Sequence, residues 1–458
     1  MKFRLASALC LLSFATLAQS PVTLTVDTQS PGQAVPRDFV GVSIFTGTQV
    51  KDHRSVPGNL FSGTNLQLIT LFKNTGLHHL RLGATGSSGS DSKNLDHADI
   101  DSLFAFAKAT DIKVIYSLHG TDAAATAQYV WTNYRANLDY FAFDNEPDGH
   151  IDKPTANGSN YFADWRFIAK SVTDAVPGAK FAGPDAAGRT LVPKFIKQEQ
   201  DTGCLALITQ HIYVGGNPIK RHIDLPHAID NMLSPEWVND NYPALYKGPL
   251  HAAVKAGLPF RLTESDDHVH GVTNASDAFV AALWALDYTH WWAAHGAAGV
   301  NFQNTEWLTT DTFYRDTAAN YHIHPKAYGL RAFDEANHGS TEPVTLANTN
   351  NLNLTAYAIG DAANLYVTII NKEHGATARD ASVTIMAKNF GAANAAALFL
   401  TAPDNNLQAT NGVTLGGATI SNNAPWHGQW TALKPDAKGL CTVAVPAASA
   451  AVLRLAHD

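Results

Sequence analysis

The sequence predicts an α/β chain: a (β/α)8 TIM barrel, then a C-terminal all-β sandwich domain that also takes in the mature N-terminal strand. Three observations predict it. Between Asp38 and about Ala336, eight short apolar runs alternate with amphipathic helical stretches, the pattern of strands and crossover helices in a closed parallel barrel. After about Gly339 the runs become short, strand-like and broken by Gly, Asn, Asp and Pro, which fits a sandwich. The segment PVTLTVD alternates Val22, Leu24 and Val26, the period of a strand buried on one face.

The elements follow in chain order. Lys2 and Arg4 precede an apolar stretch, Leu5 to Leu17, and the small residues around Thr16-Leu17-Ala18; residues 1–18 are read as a signal peptide. Residues 19–36 carry the N-terminal strand, 37–338 the barrel and 339–458 the sandwich. The predicted barrel strands are Phe39–Phe45, His79–Leu82, Lys113–Leu118, Phe141–Phe143, Phe181–Ala182, Ala206–Tyr213, Phe260–Leu262 and Ala298–Phe302. Between them, Ile100, Leu103, Phe104 and Ala107 share one helical face, and Phe162, Trp165, Ile168 and Val172 another. Val280, Trp284, Tyr288 and Trp291 line a third, with Ser276 as its expected cap. The expected sandwich strands are Leu352–Ala358, Leu365–Asn371, Ala381–Met386, Ala396–Leu400 and Val452–Leu455. No GxGxxG or phosphate-binding loop supports a doubly wound open sheet instead.

Composition narrows the partners. Without Lys2 and Arg4 the chain keeps 30 basic against 40 acidic residues, a net charge near −10, which disfavours nucleic acid and anionic membrane surfaces. The apolar stretch of the leader is too short to span a bilayer and no later one is longer, so a secreted or periplasmic protein is expected. Export makes a Cys204–Cys441 disulfide chemically possible, an accessory at this chain length; two separate buried thiols are the expected reading.

Two glutamates carry the chemistry. FAFDNEPD at Phe141–Asp148 sets Glu146 after an apolar run and before a proline, and GLPFRLTESDD at Gly257–Asp267 ends another run on Glu264. In a parallel barrel, groups at the carboxyl ends of the strands project onto one face. Glu146 follows the fourth strand and Glu264 the seventh, across the mouth from each other. Such a pair suits glycoside hydrolysis, in which one carboxyl protonates the leaving oxygen while an ionised one attacks.

The mature chain resembles glycoside hydrolase family 79, the β-glucuronidases and their heparanase relatives, within the clan of retaining glycosidases. The segments that carry this are, in order, FVGVSIF, LHHLRLG, IKVIYSLHGT, DNEPD, FAGPD, TQHIYVGG, RLTESDD, GVNFQ, HPKAYGL and VPAASAAVLRL. The resemblance implies Glu146 as acid/base, Glu264 as nucleophile, and Asn145 as the group binding the hydroxyl beside the anomeric carbon. It also implies Tyr213 as a hydrogen-bond donor to the nucleophile. Arg81, ending strand two, is a candidate to orient Glu264, and Tyr314, in the loop after strand eight with Arg315 nearby, to hold the sugar carboxylate. The implied partner is a carbohydrate substrate, a β-glucuronide, and no cofactor is implied. Gly83-Ala84-Thr85, Ser265–His270 and Asp144 depart from the family pattern, so another sugar on the same scaffold stands as an alternative.

Two readings from other classes compete. His268-Val269-His270 and His322-Ile323-His324 are H-x-H pairs that suggest a metal-dependent barrel hydrolase. Metal barrels of that kind set the motif on the first strand, and Phe39–Phe45 has no histidine. A non-catalytic sugar-binding protein is the other rival, opposed by the retention of both glutamates.

Overall fold

The computed structural model describes residues 22–45, 60–83, 95–149, 151, 160–305 and 308–457. The expected signal peptide and the Ala84-Thr85 part of the altered turn lie outside the described residues.

Strand β1 spans Val22–Asp27 and precedes the barrel. The barrel strands are β2 (Val40–Phe45), β3 (His79–Gly83), β4 (Lys113–Leu118), β5 (Leu138–Phe143), β6 (Phe181–Ala186), β7 (Leu205–Tyr213), β8 (Phe260–Asp266) and β9 (Gly299–Gln303). Neighbours pair in parallel and β2 pairs with β9, so the barrel closes. All eight predicted strands are present, several longer than their apolar runs. The clearest extension is β8, which continues through Thr263-Glu264-Ser265-Asp266 with every residue buried. Polar residues ended the sequence pattern, but here each finds a buried partner: Thr263 bonds Asp185, Glu264 bonds Arg81 and Tyr213, Ser265 bonds Tyr288, and Asp266 bonds Lys326.

The loop after β9 forms a hairpin, β10 (Phe313–Arg315) with β11 (Tyr321–Ile323), which the sequence reading did not anticipate. The sandwich contains β12 (Ser340–Glu342), β13 (Val344–Ala347), β14 (Leu354–Gly360), β15 (Asn364–Asn371), β16 (Ala381–Lys388) and β17 (Asn394–Thr401). It is completed by β18 (Thr414–Leu415), β19 (Thr431–Leu433), β20 (Cys441–Val445) and β21 (Ser449–Ala456). One sheet has the order β13-β1-β16-β20, so the N-terminal strand is internal, antiparallel to β13 and parallel to β16. The other runs β12-β14-β15-β21-β17-β18, with β19 on β17. Val22, Leu24 and Val26 share the core between the sheets with Val383, Val367 and Leu453.

The second sheet is covered on both faces. Its inner face meets the first sheet, while Tyr357, Ile370, Leu398 and Val452 on its other face join the barrel's own core. That explains why Ser449–Ala456 reads as a nearly unbroken apolar run rather than an alternating one. The helix Phe279–Ala294 lies at this junction, with Phe279 to Ala293 all buried. The expectation of one apolar face is therefore too narrow, since both sides of this helix are covered. Ser276 is not its cap: Ala278 holds that position without a side-chain bond, and the Ser276 hydroxyl donates to Asp267. Cys204 and Cys441 are free and buried, one in the barrel and one in the sandwich. Among the described residues no helix is long and apolar enough to cross a membrane.

Candidate active site

The site is built from strand ends. Arg81 of β3 is fully buried in the barrel mouth. Its Nη1 donates to Glu264 Oε2 at 3.3 Å and to Ser43 Oγ at 3.1 Å. Its Nη2 donates to Asn145 Oδ1 at 2.8 Å and to Asp185 Oδ2 at 2.7 Å. A planar fork of donors can hold several acceptors at fixed angles, and this one ties β2, β3, β6 and β8 to the loop after β5. Gly83, two residues along the strand on the same face, makes room for it. A Cβ there would stand 2.3 Å from Arg81 Nη1.

Tyr213, at the end of β7, donates its hydroxyl to Glu264 Oε1 at 2.8 Å. Glu264 thus accepts one bond on each oxygen, from Arg81 and Tyr213. Burial, and next the Glu264 charge, push the Tyr213 phenol far above its usual range, so it stays a donor. Glu146 stands opposite, with its Oε1 3.1 Å from His211 Nδ1. The same His211 nitrogen lies 3.8 Å from Glu264 Oε2. One oxygen of each glutamate and a His211 nitrogen all fall within 4.8 Å of one another. The two carboxylates differ in access: the Glu146 side chain is 39% exposed and that of Glu264 is 7% exposed.

The backbone is strained where it turns into the mouth. Asp144, Glu146 and Asp185 have φ of 71°, 49° and 54°, left-handed values that non-glycine residues rarely adopt. This accounts for the departure at Asp144, a position suited to glycine: its own Oδ1 accepts from the Asn145 N–H at 2.7 Å and supports the turn. The register between β7 and β8 shifts at Gln210–His211, so His211 faces Glu264 and Tyr213 faces Asp266. Such irregularities re-aim side chains beside active sites.

The structure thus brings together five of the six residues expected to form the site: Glu146, Glu264, Asn145, Tyr213 and Arg81. Tyr314 stands apart. It lies on the β10–β11 hairpin, its ring against His322 and His324, and it lines a separate cavity that includes neither glutamate.

Two members of the network were not singled out from the sequence. His211 sits two residues before Tyr213 on one strand, so both project to the same side, a signal available in the HIY motif. Asp185 closes FAGPD and receives Arg81 on one oxygen and the Thr263 hydroxyl on the other, at 2.5 Å. Burial would raise its pKa, but Arg81, His211 and the hydroxyls of Thr263 and Thr209 outweigh that and hold it below the usual carboxylate range. Glu146 also lies below its ordinary value. Its hydrogen bond with His211 leads, burial opposes, and the charges of His211 and Arg81 add to the lowering. The lowering has a local cause: a donor sits on the Glu146 carboxylate.

The H-x-H pairs do not form ligand sets. Among the described residues the groups with three ligand atoms in reach of one ion are Asp38/His79/Asp139 and Glu146/His211/Glu264. His268 is bonded to Asp267, His322 to Asp316, and His324 to the Asp311 carbonyl. In the second group, Arg81 already supplies positive charge 3.3 Å from Glu264.

Comparison with known proteins agrees with this architecture. Residues 356–452 match the model of the glycosyl hydrolase family 79 C-terminal beta domain. No curated protein matches the chain. A 4-O-alpha-L-rhamnosyl-beta-D-glucuronidase from Fusarium oxysporum has a similar structure, with TM-score 0.70 and 17% identity over 94% of this chain and 100% of that one. A family 51 alpha-L-arabinofuranosidase from Bifidobacterium longum gives TM-score 0.66 and 12% identity over 95% and 100%. A beta-xylosidase from Caulobacter crescentus gives 0.61 and 14% over 95% and 99%. The similar structures share the barrel with its β domain, and with the domain match they support the family 79 resemblance and a glycosidase acting on carbohydrate.

Proposed function

We propose that the protein is an exported retaining β-glycosidase, most specifically a β-glucuronidase, with Glu264 as nucleophile and Glu146 as acid/base. One observation carries this reading: the nearest oxygens of Glu146 and Glu264 lie within 4.8 Å of each other across the mouth, a close approach that suits the narrower of the two carboxyl spacings glycosidases use. Retaining pairs stand about 5–5.5 Å apart, whereas inverting pairs leave about 6.5–9.5 Å for a water.

Glu264 attacks the anomeric carbon. Bonds from Arg81 and Tyr213 fix its direction. Asn145, held by Arg81, is aimed to bind the hydroxyl beside the anomeric carbon, a contact that strengthens as positive charge develops on the ring. Glu146 protonates the leaving oxygen, and the glycosyl-enzyme is then hydrolysed by a water that Glu146 deprotonates. Its greater exposure suits both steps, since leaving group and water pass on that side. Its lowered pKa belongs to the open site, where the His211 hydrogen bond reaches its carboxylate. When substrate covers the mouth, lost hydration favours the neutral carboxylic acid, which takes its proton from solvent before the mouth closes.

The sugar assignment is supported by the family 79 segments, the domain match, and the glucuronidase among the similar structures. Export is supported by the leader at residues 1–18. The test is a panel of 4-nitrophenyl glycosides. Clear preference in kcat/KM for the β-D-glucuronide over the β-D-glucoside is expected, and equal or better use of the glucoside overturns the uronate assignment while leaving the mechanism. Glu146→Ala is expected to cost roughly 10²–10⁴-fold on substrates with poor leaving groups and far less on activated aryl glycosides. Equal losses on both argue against Glu146 as the acid.

A further inference from the structure

Between the β10–β11 hairpin and the sandwich loop 410–422 lies a cavity of about 580 Å³, within the size range of small-molecule sites. The reaction described above does not use it. One wall is a row of aromatic rings. Tyr314 lies 5.4 Å from His322 and 4.5 Å from His324 between centroids, with planes within 25° and 23° of parallel. The opposite rim carries short uncharged groups, among them Thr410, Asn411 and Asn422, which offer both donors and acceptors. Aromatic faces with hydroxyl and amide groups opposite them suit a pyranose ring. Its C–H face packs on the electron-rich ring face, and its hydroxyls find polar partners.

The charges select among sugars. Among the described residues no lysine or arginine lines the cavity, and Asp277 puts a carboxylate in it. His322 is already paired with Asp316 at 2.9 Å. His324, its pKa lowered mainly by burial, turns Nδ1 to the Asp311 carbonyl. A uronate or phosphate entering here would meet the Asp277 carboxylate and, among the described residues, no lysine or arginine to replace the hydration it loses. The position also bears on the ligand: Asp277 belongs to the loop after β8 and the hairpin to the loop after β9, both leaving the barrel face that carries Glu146 and Glu264.

We infer that this cavity is an accessory subsite for a neutral saccharide, with Tyr314 as its platform rather than as a partner of the reacting sugar's carboxylate. The inference rests on the reading of the protein as carbohydrate-active. It gives the sandwich a part in substrate recognition, since one wall of the subsite comes from loop 410–422.

The test uses the full-length Glu264→Gln protein, titrated with cellobiose, xylobiose and galactobiose, and separately with digalacturonate, by ligand-observed NMR. At least one neutral disaccharide should bind, digalacturonate at least about fivefold more weakly. Thr410→Trp, which fills the cavity from an exposed position, and Tyr314→Ala should each weaken the neutral ligand at least fivefold, with thermal unfolding confirming that both variants fold. No binding by any of the three neutral probes overturns the inference. So does binding that a folded Thr410→Trp protein retains, or digalacturonate binding as well as the best neutral sugar. Wild-type hydrolysis of aryl glycosides, measured in parallel, separates the two proposals. Hydrolysis without saccharide binding removes only the subsite; cavity-dependent binding without hydrolysis removes the catalytic reading and leaves the subsite.

Discussion

Two buried ion clusters, one in the barrel mouth and one between the domains, use similar groups for different ends. At the junction, Asp287 of the helix Phe279–Ala294 accepts the Tyr357 hydroxyl at 2.7 Å on one oxygen and Lys372 at 2.9 Å on the other. All three residues are buried. Each Asp287 oxygen has its donor and no side faces solvent, so the cluster acts as a clamp between barrel and sandwich. In the mouth, Arg81 is shared among Glu264, Asp185, Asn145 and Ser43, while Glu146 opposes Glu264 and stays partly open. There the carboxylates outnumber the fixed cation, and one of them faces incoming ligand. The difference teaches that burial of charge alone does not mark a catalytic site. Crowded like charges with one open member mark it better.

The comparison can be broken most severely at the nucleophile. Glu264→Gln is expected to lower kcat by roughly 10⁴-fold or more while leaving stability unchanged or raised, because it removes one of two crowded carboxylates. Kinetics on an aryl glycoside with urea denaturation check both halves, and a strongly destabilised variant would make Glu264 a structural residue. Asp287→Ala should do the reverse. It leaves Lys372 buried without its partner and should cost about 3–5 kcal/mol, with kcat/KM per folded molecule unchanged. Replacing Asp287 and Lys372 together by Leu and Met should recover most of that loss; failure to recover would mean the pair does more than compensate itself.

A smaller effect sharpens the mouth's side of the comparison. The hydrogen bond with His211 lowers the Glu146 pKa, so Glu146 gives up its proton at lower pH than an isolated carboxyl would. His211→Ala removes that bond, raises the Glu146 pKa, and should move the alkaline limb of kcat/KM to higher pH, since the acid form persists further. A residue that only packs there would lower activity without moving the limb. An unmoved or acid-shifted limb overturns the pairing.

Much of this was legible in the chain itself. The alternation of apolar runs with amphipathic helices gave the barrel, because each strand must be apolar to be buried and each helix must carry one apolar stripe. DNEPD and RLTESDD marked Glu146 and Glu264 by their place at strand ends, and LRLG marked Arg81. The limits were equally physical. Polar residues hid the end of β8, since hydropathy cannot tell a carboxylate turned into a mouth from one turned to solvent. The helix Phe279–Ala294 read as one-sided because its second covering surface belongs to sandwich strands that come only after Gly339 in the chain.

What the sequence determined by itself was local and periodic: the eight barrel strands, five of the sandwich strands, three of the helices, the strand-like character of Val22–Asp27, and which carboxylates end which strands. What only the tertiary structure decided was who faces whom. The register shift between β7 and β8 turned His211 toward both glutamates, and the Arg81 fork joined residues as far as 183 positions apart. The hairpin set Tyr314 against two histidines and a sandwich loop, away from the carboxylate pair. Periodicity reports which side of an element is buried, but not against what. Partner choice depends on closure of the barrel and docking of the sandwich, and those follow from packing the whole chain.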